Sequence, residues 1–101
     1  MTSTLISRNV VVNGHRTSMR LEQEMWDAMS DICRLERRSM HELCTLIESR
    51  RRKSSLTSAV RVFVLNYYRS MTQVLEDGSQ ASMLAAPRPT KDQVLSLALD
   101  A

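Results

Sequence analysis

A chain of 101 residues, 43% hydrophobic and 25% charged, has room for one small domain with an ordinary core. No apolar run approaches the ~20 residues of a membrane helix, and the segment before Gly14 lacks a signal peptide's apolar core and cleavage site, so a cytoplasmic protein is expected. Cys33 and Cys44 have no metal-type spacing, and no nucleophile–base pair or phosphate loop is present. An enzyme is therefore not expected, nor a cofactor or a bound metal.

The net charge of +3 is modest, but the charges are segregated. Residues 1–21 hold three arginines and no acid, and residues 22–31 hold four acids and no cation. Between residues 34 and 53, seven cations stand against three glutamates. A basic face with an acidic flank favours a polyanionic partner, although a charge run alone is more often a solvated face.

Residues 1–7 show no pattern and read as a flexible N-terminus. A β-branched run over 8–12 precedes Asn13-Gly14, and Asn-Gly between two strand-like runs is the strongest short hairpin signal. The residues leave two readings, a hairpin or a loop before a lone strand. Residues 15–21 alternate: Arg16, Ser18 and Arg20 fall on one side of an extended strand, and Thr17, Met19 and Leu21 on the other. A first helix is expected over 22–36, with Met25, Ala28, Met29, Ile32 and Leu35 on one face. Trp26 borders that face as a packing residue.

Ser39-Met40-His41-Glu42 fits a capping box for a second helix, whose apolar face is Met40, Leu43, Cys44 and Ile47. That helix ends near the basic run 50–53, which suits phosphate contact or a solvated helix end equally. Ser54 or Ser55 caps a third helix over 56–75. Its segment 59–65 is apolar almost all round, so it needs burial on more than one side, and a second subunit would supply that. Asp77-Gly78-Ser79 should end it, and Ala85-Ala86-Pro87-Arg88-Pro89 reads as a linker. Thr90-Lys91-Asp92-Gln93 then caps a short helix with Val94, Leu95, Leu97 and Leu99, too small to stand alone. The expected organisation is a flexible 1–7, a domain over 8–75, and a linker with a short helix over 76–101.

The order strand, helix, Ser-capped helix resembles the ribbon-helix-helix family of DNA-binding proteins. The motifs are Thr-Ser-Met-Arg-Leu ahead of the first helix and Ser39-Met-His-Glu-Leu opening the second, over about 16–50. The stretches 8–22 and 55–69 resemble a short proteobacterial subgroup and extend the likeness to 8–69. The resemblance implies a mainly α fold with a short N-terminal β-ribbon, an intertwined homodimer whose strands pair into an antiparallel ribbon, with a third helix added. It also implies that the ribbon enters the major groove of double-stranded DNA. The base-reading side chains are then Arg16, Ser18 and Arg20, and a phosphate sits at Ser39, Met40 and His41. The chemistry agrees: arginine bonds guanine O6 and N7 together, serine donates or accepts, and a helix N-terminus attracts anions.

The function expected is a homodimeric transcriptional regulator, a repressor or autoregulator. Two other readings stay open. One is an antitoxin whose C-terminal tail binds a protein toxin; the other is an interaction adaptor that keeps the dimer fold without DNA. The second draws support from width. With strand 8–12 on each side of the paired strands, three spacings of about 4.8 Å make about 14 Å, against a major groove of about 12 Å.

Overall fold

The computed structural model describes residues 4–80 and 93–100. The chain runs β1 (Leu5–Val12), β2 (His15–Glu22), α1 (Gln23–Glu36), α2 (Met40–Arg50), α3 (Leu56–Gln80) and α4 (Val94–Asp100). The linker at 85–89 and the capping residues Thr90, Lys91 and Asp92 lie outside the described residues.

Of the two readings of residues 8–12, the hairpin is the one formed. β1 and β2 pair antiparallel, with Val12 opposite His15 and Leu5 opposite Glu22. Asn13 and Gly14 both take positive φ, 52° and 82°, the combination of a type I′ turn, whose twist matches that of the strands it joins. β1 begins at Leu5, earlier than the expected residue 8, because Ile6 falls opposite Leu21 on the buried side and prolongs the pairing. The inner face of the hairpin buries Val10, Val12, Met19 and Leu21.

β2 runs through Glu22, so α1 starts at Gln23, with Glu22 as an extended N-cap. Trp26, Met29 and Ile32 are buried beneath the hairpin, and the Trp26 indole N–H donates to the Ile6 carbonyl at 2.9 Å. The guanidinium of Arg8 lies 5.3 Å from the centre of the Trp26 ring. α1 closes with Arg37 at φ 56°, which lets Arg38 N–H reach back to the Cys33 carbonyl at 3.0 Å.

α2 opens with the expected capping box: Glu42 N–H donates to Ser39 Oγ at 3.1 Å, and Ser39 N–H donates to Glu42 Oε1 at 2.9 Å. Its face Leu43, Cys44 and Ile47 is fully inside. Burial, and then neighbouring Cys33, pushes the Cys44 thiol up to about 11. Burial followed by Glu42 raises Cys33 too, which disfavours the thiolate at both.

α3 extends to Gln80, beyond the expected stop at Asp77-Gly78-Ser79, since one glycine in a helix costs only about 1 kcal/mol and does not compel a break. Val60, Phe63, Val64 and Tyr67 fill the core, and Tyr67 Oη donates to Glu36 Oε2 at 2.6 Å, tying α3 to the end of α1. Burial, reinforced by that carboxylate, raises the Tyr67 phenol. α4 docks on α3 and α2 with Val94 and Ala98 buried, and Arg50 pairs with Asp100 at its end. No described helix is long and apolar enough to cross a membrane.

Candidate nucleic-acid interface

Alternation along both strands gives the hairpin a second, outward face. From β2 it carries Arg16, Ser18 and Arg20, and from β1 it carries Val11, Asn9 and Ser7, opposite them in that order. All six are exposed. Among the described residues, neither the Arg16 nor the Arg20 guanidinium has an acidic partner. Ser18 differs: its hydroxyl lies 2.8 Å from that of Ser7, so part of its bonding capacity is spent within the sheet. No expectation of DNA contact from the sequence falls on Ser7, Asn9 or Val11. The Asn-Gly turn was the signal that placed them on this face, because a two-residue loop fixes the register and hence the side of every β1 residue.

Of the expected phosphate-binding residues, His41 lies beside the tip of this hairpin. Val11 N–H donates to His41 Nδ1 at 2.9 Å, and Asn13 N–H donates to Thr45 Oγ1 at 3.2 Å. Two residues one helical turn apart on α2 thereby close the outer edge of β1. His41 must accept at Nδ1, which leaves Nε2 as its N–H donor. Since Val11 stands opposite Arg16, one cross-strand pair links the first turn of α2 to the start of the arginine row. A groove of about 440 Å³ runs there, lined in part by Val11, Asn13, Arg38, His41 and Thr45.

At the N-terminus of α2 the capping box consumes two donors, Ser39 N–H and Glu42 N–H. The amides of Met40 and His41 have no protein acceptor among the described residues, and they point where the helix dipole favours an anion. The Met40 side chain is half-buried, so its contribution would come from the backbone. The Glu42 carboxylate is held below the usual range by the Ser39 backbone bond, then by the Ser39 side chain and by Arg38. Arg37 and Arg38 are both exposed next to this turn.

The basic run at the far end of α2 is used differently. Arg51 grips the Glu48 carboxylate at 2.7–3.0 Å and also donates to the Ser54 carbonyl at 2.9 Å. That pairing, led by the side-chain bond, lowers Glu48 and raises Arg51. With Arg50 on Asp100, two of the four cations hold the chain's own loops and tail. No cluster of His, Cys, Asp or Glu suited to a metal occurs among the described residues.

A family model described as "Ribbon-helix-helix domain" matches residues 5–68, more than half of the chain. Comparison with curated proteins and with solved structures gives no significant match.

Proposed function

The chain belongs to the ribbon-helix-helix family, and we propose that it acts as a homodimeric, sequence-specific transcriptional regulator, a repressor or autoregulator. The family is one of DNA-binding proteins that dimerise in general. The observation that carries the reading for this chain is the outward row Arg16, Ser18 and Arg20, exposed on a strand whose opposite face buries Met19 and Leu21 and half-buries Thr17. Two arginines spaced four residues apart along a strand stand about 13 Å apart, and each can bond a guanine edge in the major groove when the outer β1 strands curl away, since a flat four-stranded ribbon of about 14 Å exceeds the groove's width of about 12 Å. Ser18 between them, with its hydroxyl shared with Ser7, makes the weaker contact. The backbone N–H groups of Met40 and His41, after the Ser39 cap, hold a phosphate and set the register of the row on the duplex.

Binding of labelled DNA chosen from a random pool tests the assignment. Arg16→Ala with Arg20→Ala should abolish sequence preference, since each bidentate contact gives about 1–3 kcal/mol of discrimination. Unchanged affinity and preference would remove both arginines from the base-reading set.

The antitoxin reading ranks second for a stated reason. α4 spends Val94 and Ala98 on its own chain, which leaves the C-terminal helix less apolar surface to offer another protein.

A further inference from the structure

α3 carries more apolar surface than the buried side it turns to the other described elements. Val60, Phe63, Val64 and Tyr67 are buried on one side. On the other, Val62 is 53%, Leu65 57%, Tyr68 37% and Leu75 72% exposed. Steps of three and four residues along 62, 65, 68, 72 and 75 place these side chains on one face, which Arg69, Thr72 and Glu76 interrupt with polar groups. A helix apolar on two sides is stable in water when both are covered. α4 does not supply the cover, since Leu65, Tyr68 and Leu75 stay exposed with α4 docked.

The position of this stripe identifies what covers it. Arg61 stands one turn before Leu65 on the same line, and its guanidinium bonds the Glu22 carboxylate at 3.0 Å, at the end of β2. Among the described residues β2 pairs on one side only, with β1, which leaves its other edge open. The open strand edge and the apolar stripe therefore adjoin through one ion pair and form a single continuous surface. The resemblance implies dimers joined through paired strands, so in the dimer proposed above the strand part of this surface faces a second copy. A strand edge alone is a narrow contact, well short of the roughly 800 Å² per partner that stable interfaces bury. The adjoining α3 stripe adds exposed apolar area to that contact.

We propose that the α3 stripe is covered by a second copy of this chain, in an isologous contact continuous with the pairing of the β2 edges. Val62, Leu65 and Tyr68 of each copy then meet the same face of the other about a two-fold axis. Arg69, which lies within the stripe between the lines of Val62 and Leu65, turns its charged head to water while its stem lies along the contact. The proposal rests on the dimer reading for the existence of the second copy, and goes beyond it in making α3 part of the interface.

Sedimentation equilibrium over a dilution series, on the full chain, separates the two claims. With the unaltered protein dimeric, Val62→Asp and Leu65→Asp should each weaken dimerisation by about thirty-fold or more, the loss typical of a central interface residue. Their helical circular dichroism should be unchanged, because both side chains are more than half exposed in the single chain. Leu97→Asp, exposed on α4, should dimerise as the parent does. If an aspartate variant loses helical content, Leu65→Gln gives the same reading without a buried charge. A dimer that survives the changes at 62 and 65 overturns the α3 contact and leaves the dimer standing, and so does equal weakening by Leu97→Asp. A parent protein that sediments as a monomer overturns both.

Discussion

Arg37 occupies a backbone conformation that suits glycine better than arginine. Its φ of 56° ends α1 and lets Arg38 N–H cap the Cys33 carbonyl, but a Cβ in the left-handed region costs about 1–2 kcal/mol. Arg37→Gly removes that strain, partly offset by the freedom glycine adds to the unfolded chain. The variant should be more stable by about 1 kcal/mol in urea unfolding. The same substitution deletes an exposed cation beside the first turn of α2, so DNA affinity should fall while stability rises. Opposite signs in the two measurements are what a residue retained for its charge produces. A parallel loss of stability would instead make the side chain structural.

At the scale of elements, the turn chemistry and caps were readable because each depends on neighbours in the chain. Asn13-Gly14 signalled a hairpin, beside the reading of a loop before a lone strand, and Ser39 with Glu42 marked where α2 starts. The attachment of His41 to β1 could not be read in that way, because its partner Val11 lies 30 residues earlier and the contact arises only when α2 packs on the hairpin edge. The same holds for Arg51, which reads as a member of a basic run and is bound to Glu48 and Ser54. The length of α3 was missed because Gly78 weakens a helix without terminating it.

The cap at α2 also has a pH signature. Glu42 has its carboxyl lowered by the Ser39 bonds and Arg38, so its charge stabilises the fold above the unfolded carboxylate value of about 4.3, and that contribution is lost as pH falls through the lower folded value. Glutamine can fill the same place in a capping box, so Glu42→Gln removes the charge and keeps the bonds. The variant should be less stable than the parent at pH 7, with the gap closing as melts are repeated down to about pH 3. A gap that is constant with pH would mean that shape rather than charge is what Glu42 supplies.

For the molecule as a whole, the segregated charges of the sequence resolve into cations with different tasks. Arg16 and Arg20 stand on the outward face of the hairpin, Arg37 and Arg38 flank the N-terminus of α2, and Arg50 and Arg51 are tied to Asp100 and Glu48 at its other end. α2 has 11 residues, so its two ends are about 16 Å apart, too far for one phosphate to meet both groups. The proposed docking therefore places Arg38 on a phosphate and leaves Arg51 out of the interface. Neutralising a phosphate releases counterions, and each such contact adds about 0.9 to the slope of log affinity against log salt concentration. Arg38→Ala, occurring once per protomer, should lower the slope of the dimer by about 2 and weaken binding to all sequences alike. Arg51→Ala should leave the slope unchanged and cost stability instead, because it frees Glu48 and the Ser54 carbonyl from their donor. Titrations of one operator at several salt concentrations, paired with urea unfolding of each variant, distinguish the two. If Arg51→Ala lowers the slope as much as Arg38→Ala does, the duplex lies along the length of α2, and the hairpin face is not what directs it.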